Sequence, residues 1–264
     1  MGSIDREIER MNSYHRELTA YCDEMFSRQP KWKLEELAEL RKLPLETLIE
    51  HKIFWVGSMA EMMLPDYMDR LAEFGLISET NNKPVFHDRW VMPIRTQDGL
   101  VQNLVGYSPD FDERYVYGTG AYYRRTETFW GLENMEIAYT LGWAIVVEGI
   151  TDALRLRSLG LRNSLARCGT FKSERLMRTL DRLRYGVIFI HDRDSAGDQT
   201  RKHWKTAKCI RLNTMLTYKD SDEMLRDDIN VPGFMAALEL AANKLMEREH
   251  SGEQQLELEP ITMV

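Results

Sequence analysis

The sequence predicts an α/β protein: a parallel-sheet α/β subdomain, preceded by a mixed helical and α+β segment and followed by a C-terminal helix. Three observations lead there. Ala144–Val147 and Val187–Ile190 are short apolar runs with the β-branched content of buried parallel strands. Between Trp143 and Leu212, strand-like runs alternate with helix-length stretches, the pattern that builds a parallel sheet through crossover connections. Both apolar runs stop abruptly at acids: Glu148 in W-A-I-V-V-E-G, and Asp192 and Asp194 in G-V-I-F-I-H-D-R-D-S-A-G. Ligands of open α/β sheets bind beyond the carboxyl ends of the strands, so these acids face a shared crevice.

Taken in order, Ser3–Phe26 carries Ile4, Ile8, Met11, Leu18 and Met25 at helical spacing, and Gln29-Pro30 ends that helix. Leu34–Leu43 and Pro44–His51 read as two more short helices, the second with proline at a favourable first-turn position. Ile53–Val56 reads as a strand. A methionine-rich helical stretch follows as far as Phe74-Gly75, with its methionines read as core packing. The texture changes at Asn81-Asn82-Lys83-Pro84. Val85-Phe86, Arg89–Ile94 and Val101–Tyr107 are expected strands, the last two joined by a hairpin turn at Gln97-Asp98-Gly99. Arg114–Gly131, R-Y-V-Y-G-T-G-A-Y-Y-R-R-T-E-T-F-W-G, interleaves basic and aromatic side chains. That composition suits single-stranded nucleic acid or nucleotide, and equally a half-buried strand pair.

Strands at 144–148, 164–168, 187–191 and 209–212 then alternate with helices near 150–159, 173–183 and 196–205. Pro232–Arg248 is an amphipathic helix, and the polar, acidic tail from Glu249 is expected to be mobile. The division this implies is a helical segment 1–80, a short-stranded basic and aromatic subdomain 81–140, an α/β domain 141–230, and a helix with tail 231–264.

A chain of 264 residues with 43% hydrophobic and 29% charged residues has room for one large core or two modest ones. Its apolar runs are far shorter than a membrane span, and no charged-then-apolar leader opens it. Cys22, Cys168 and Cys209 form no C-x-x-C pair, which excludes a zinc ribbon and a disulfide framework. The expectation is a cytoplasmic protein with no zinc and no membrane partner. A formal charge of −7 argues against indiscriminate coating of nucleic acid, though not against a local basic groove.

The acids form three sets. Glu148 and Asp152 lie four apart, at a strand end and the following first helical turn. Asp192 and Asp194 are two apart and point the same way in extended backbone, and Asp220 and Asp222 repeat that spacing. Acids gathered at one sheet edge repel one another, and a hard cation such as Mg²⁺ or Mn²⁺ relieves the repulsion. Divalent cations held this way activate a 3′-hydroxyl and stabilise a leaving pyrophosphate, or cleave a phosphodiester; spacing does not choose between them. Any one set alone is also explained by a cap or turn, as Asp194 before Ser195-Ala196-Gly197 illustrates.

V-V-E-G-I-T-D-A-L-R-L-R-S-L-G-L-R-N-S-L-A-R-C-G-T (146–170), followed by D-R-D-S-A-G (192–197), resembles the TOPRIM domain of bacterial DnaG-type primases. The shared pattern is E-G-x-x-D, then G-x-x-N-x-x-A-x-x-G-T, then D-x-D-x-A-G. The same fold serves topoisomerases and nucleases, and the upstream half selects primase. F-H-D-R-W-V-M-P-I-R-T-Q-D-G-L-V-Q-N-L-V-G-Y (86–107) resembles the primase N-terminal subdomain. Arg114-Tyr115 falls where that family has a Lys-Tyr pair, and Arg125 where it has a basic residue before an aromatic-Gly-Leu, here Trp130-Gly131-Leu132.

The resemblance implies a catalytic set of Glu148, Asp192 and Asp194. It implies metal ligation by these three with Asp220 and Asp222, assisted by Asp152. It also implies that Arg89, Arg114 and Arg125 meet template or triphosphate, for which the guanidinium fork is suited, and that Tyr115 stacks or positions a strand. The partners it implies are single-stranded DNA, nucleoside triphosphates, a replicative helicase and a separate zinc-ribbon protein. A TOPRIM nuclease and a non-catalytic replisome protein that keeps the fold are the rival readings.

Several departures from the family accompany these matches. No zinc module precedes the core and no helicase-binding domain follows it, which suits a phage or mobile-element primase. The expected Gly-Gly-Arg after Tyr107 is replaced by Ser108-Pro109-Asp110, losing a basic residue, and His191 and Arg193 flank the first aspartate of the D-x-D. Arg155, Arg157, Arg162, Arg167, Lys172, Arg175, Arg178, Arg182 and Arg184 outnumber Glu174 and Asp181 between 153 and 186. They read as a phosphate-tracking face or as a solvated charge face.

Overall fold

Apolar residues at three- and four-residue spacing fold the first stretch into helix α1 (Ser3–Arg28), which buries Tyr14, Leu18, Tyr21, Cys22 and Met25 along one face. The computed structural model describes residues 3–78, 80–123, 128–168, 174–192, 208–213, 218–251 and 261–262. Its two structural units are Met1–Tyr123 and Arg124–Val264, and residues 81–140 are divided between them.

In the first unit, α2 (Lys31–Arg41), α3 (Leu45–Glu50) and α4 (Met59–Met62) accompany a four-stranded antiparallel sheet. Its strands β1 (Phe54–Val56), β2 (Arg89–Arg95), β3 (Val101–Tyr107) and β4 (Tyr115–Tyr117) lie in sequence order. Phe54, Val56, Val91 and Leu104 share a core with the buried face of α1. Trp55, Trp90, Tyr107 and Tyr115 stand directly opposite one another across the four strands. Successive ring centroids are 4.8, 6.3 and 5.1 Å apart, a continuous aromatic row. Helix α2 meets this row: Trp90 Nε1 donates to the Lys33 carbonyl at 2.8 Å, and Lys33 Nζ sits 3.9 Å from the Trp55 ring.

The β2–β3 hairpin turns at the predicted place, with Gly99 at φ +81° and the Thr96 N–H donating to the Leu100 carbonyl. Val85-Phe86 is not a strand. Pairing there stops at a single Ile77–Pro84 bridge, with the Val85 N–H donating to the Leu76 carbonyl, before left-handed Asp88 (φ 50°) turns the chain, and Phe86 packs into the core. Nor is the methionine-rich stretch one helix. Pro65, which has no N–H to continue α4, begins a 3₁₀ turn, Pro65–Arg70. Met62 is core, whereas Met63 and Met68 are exposed.

In the second unit the sheet order is β10-β9-β8-β6-β7-β5. The strands are β5 (Phe129–Trp130), β6 (Trp143–Val147), β7 (Ser164–Arg167), β8 (Gly186–His191), β9 (Cys209–Asn213) and β10 (Ile261–Thr262). The parallel pairing of β6 to β9 is as predicted, while β5 adds antiparallel to β7 and β10 parallel to β9. Helices α5 (Met135–Leu141) and α7 (Glu174–Asp181) send Met135, Ala138 and Leu180 into a cluster with Val146, Leu165 and Phe189 on one sheet face. Helix α6 (Ile150–Ser158) meets the other face, where Ser164 Oγ donates to the Ala153 carbonyl. A single turn, α8 (Ser221–Met224), leads to α9 (Val231–Ser251), which packs on β8 and β9 and continues past Glu249. The helix expected at 196–205 lies outside the described residues. No helix among the described residues is long and apolar enough to cross a membrane.

Candidate metal centre

The chain runs from β6 through α6 to β7 on one side, and β8 then pairs with β6 on the other. That reversal makes a topological switch point, and the crevice of such a sheet opens beyond the strand ends there. Glu148 follows β6 and Asp192 follows β8, so the two acids border this crevice. The Asp192 N–H donates to Glu148 Oε1 at 3.4 Å, and His191 Nδ1 lies 3.8 Å from the same oxygen. The Glu148 side chain keeps 17% of its surface exposed.

Arg167 ends the neighbouring strand, one residue past the Val147–Ala166 pair, and is buried. Burial lowers its pKa, while the charges of Glu148 and Asp192 act in the opposite direction and favour the guanidinium. Sequence reasoning counted Arg167 among surface bases. The available signal was its position at the end of a buried strand beside the strand that Glu148 follows.

Asp152 occupies the first turn of α6 and is 4% exposed. Its Oδ1 accepts from Ser221 Oγ at 2.7 Å and from the Asp222 N–H at 2.8 Å. Burial first, then the charge of Asp220, push its carboxyl up to about 7 despite those hydrogen bonds. A Cβ at Gly149 would lie 2.6 Å from Asp152 Oδ2, which explains the glycine of E-G-x-x-D: the carboxylate tucks against that backbone. Asp222 is 1% exposed, its oxygens meeting Arg155 Nε at 3.2 Å and Arg226 Nη2 at 2.5 Å. Asp220 caps α8 by accepting the Glu223 N–H at 2.8 Å.

The basic run is thus no single outward face. Arg155, Arg157 and Arg167 are buried, and Arg157 bonds Glu133 and the Gly131 and Ser164 carbonyls beneath the Trp130 ring. Arg162, Arg178, Arg182 and Arg184 are exposed.

In the first unit Arg89 is buried with its guanidinium over the Phe111 ring, and it donates to the Arg114 carbonyl at 3.0 Å. The Arg114 residue is exposed and Tyr115 half-buried, so this edge presents one cation beside one ring. Asp194 and Arg125 lie outside the described residues.

Among the described residues no three acidic, histidine or cysteine side chains converge closely enough to hold a metal ion. The donor chemistry nonetheless fits a hard divalent cation. Glu148 and Asp192, the acids bordering the crevice, offer carboxylate oxygens, and the Asp192 N–H bond to Glu148 Oε1 holds them side by side.

Residues 145–225 match the family described as Toprim-like. The DNA primase of Aquifex aeolicus is 32% identical over 144 residues, which cover 52% of this chain and 28% of that protein. A DNA primase of Pseudomonas putida is 28% identical over 164 residues, covering 58% of this chain and 25% of its own length. The chain therefore spans about a quarter of the length of the curated relatives it matches. Among solved structures, a DnaG primase catalytic domain bound to ssDNA superposes with a TM-score of 0.70 at 20% identity, covering 89% of this chain and 84% of that one. The zinc-binding and RNA polymerase domains of the Aquifex aeolicus primase give a TM-score of 0.66 at 23% identity, covering 88% and 59%. The fold is that of the DnaG catalytic core, with a Toprim-like domain at 145–225.

Proposed function

We propose that this chain is a primase catalytic core, joining nucleotides into short RNA primers on single-stranded DNA by metal-dependent nucleotidyl transfer. The observation that carries this reading is the pairing of Glu148 and Asp192 at the switch point of a Toprim-like sheet. Its relatives named DNA primase and the neighbour bound to ssDNA support it.

Glu148, Asp192 and Asp194, with Asp220, would hold Mg²⁺ or Mn²⁺. Bound there, the cation offsets charge on the reacting phosphate and favours the 3′-hydroxyl as nucleophile. The Arg167 guanidinium lies in the field of both Glu148 and Asp192 and offsets part of their mutual repulsion. Arg89 braces the backbone at Arg114 and leaves the Arg114 guanidinium for phosphate, with the Tyr115 ring beside it for a base. Arg125 would act with them on template or triphosphate. A replicative helicase and a separate zinc-ribbon protein are the partners this reading calls for.

The test is primer synthesis on single-stranded templates with labelled ribonucleotides, in Mg²⁺ and then Mn²⁺. Short products that vanish in Asp192→Ala are expected. A shortened template instead of product would turn the reading to a nuclease, and neither product nor cleavage would overturn it.

A further inference from the structure

Two guanidiniums converge on one carboxylate in the second unit. Arg155 and Arg226 take the two oxygens of Asp222, and the Asp222 N–H and Ser221 hydroxyl both bond Asp152 Oδ1. Arg155, Asp152, Ser221 and Asp222 are each at most 5% exposed. Arg155 and Arg226 compensate the Asp222 carboxylate, and the Ser221 hydroxyl and Asp222 N–H occupy Asp152 Oδ1, so both acids are already engaged within the protein. Glu148 and Asp192 instead follow the strand ends and border the crevice, in the field of the buried Arg167.

We infer that Asp152 and Asp222 are positioning residues rather than metal ligands. Together with Arg155, Arg226 and Ser221 they form a buried latch that fixes the first turn of α8, and with it Asp220, against the first turn of α6. The bonds bridge 67 to 70 sequence positions, so the latch is what converts a distant loop into part of the acidic edge. Ser221 matters as much as the acids, because its hydroxyl and the next N–H present two donors to one oxygen. The latch stands on these contacts alone; its consequence for the acidic edge rests on the metal reading above.

The experiment compares Arg155→Met, Asp222→Asn and their double variant with the unaltered chain. Hydrogen exchange of the amides from 221 to 225, in EDTA, reads the latch directly. Calorimetric titration with Mn²⁺ reads the site. Each single variant is expected to speed exchange there by at least about tenfold, while the amides of β8 stay protected. Each weakens Mn²⁺ binding without changing its stoichiometry, the double variant is no worse than either single one, and Arg155→Lys restores part of the affinity. Loss of one Mn²⁺ per chain in Asp222→Asn, with Arg155→Met unaffected, would make Asp222 a ligand and overturn the inference. So would exchange at 221–225 that matches the unaltered chain in both variants. If the unaltered chain binds no Mn²⁺, the metal reading fails while exchange still decides the latch. Should Arg155→Met not fold, Ser221→Ala removes one bond to Asp152 and is judged by the same exchange criterion.

Discussion

Asp152 Oδ1 accepts the Ser221 hydroxyl at 2.7 Å, joining the first turn of α6 to the first turn of α8 inside the protein. Both groups are buried, so removing the donor leaves a carboxylate oxygen short of a partner rather than returned to water. Ser221→Ala is expected to cost about 1–3 kcal/mol in chemical denaturation, at the upper end because the acceptor is ionisable.

Asp152 also sets a pH dependence. Its folded pKa of about 7 lies above the ordinary 3.8, so the folded state binds its proton more tightly than the unfolded chain. Stability contributed by the neutral form is full below pH 3.8 and is lost as pH rises to about 7, then stays level. The loss amounts to at most roughly 4 kcal/mol. Asp152→Asn keeps an oxygen for both donors and removes the charge. In EDTA its thermal midpoint is expected to match or exceed that of the unaltered chain at pH 8, with the acid-side slope flattened.

Gly149→Ala tests the tucked carboxylate. The added methyl meets Asp152 Oδ2 at 2.6 Å, and Asp152 is held from its far side by Ser221 and Asp222. Displacing it strains the latch, and a loss of about 1–3 kcal/mol in urea unfolding is the expected outcome.

Glu148→Gln separates charge from shape. The amide oxygen still accepts the Asp192 N–H, so the fold should stand by circular dichroism. Primer synthesis should fall by more than about a hundredfold, the scale on which loss of one transition-state electrostatic group is felt.

In the first unit, Trp90 sits between Trp55 and Tyr107 in the aromatic row and is 3% exposed. Trp90→Ala is expected to cost about 3–5 kcal/mol by denaturant titration, through the cavity left in the row and the lost bond to the Lys33 carbonyl.

What could be read beforehand followed local rules. The β-branched runs of β6 and β8 and the Gln97-Asp98-Gly99 turn are properties of a few neighbouring residues, and they appear where predicted. Val85-Phe86 misled because its composition is strand-like, while pairing stops at a single bridge before left-handed Asp88 turns the chain. Charge also misled. Arg155 and Arg157 look like solvated helix residues until Asp222 and Glu133, 67 and 24 positions away, are seen to receive them. The acids at the strand ends were legible from spacing. Their different surroundings were not, because which carboxylate meets a guanidinium is fixed by packing across the whole unit.

The outermost strands of the six-stranded sheet, β5 and β10, are each two residues long. The main-chain groups of an edge strand are where a foreign strand docks, and long flat edges seed fibrils. Among the described residues the four central strands are flanked by these two-residue ones, so a stray β-segment that reaches either rim meets a short ladder on which to register.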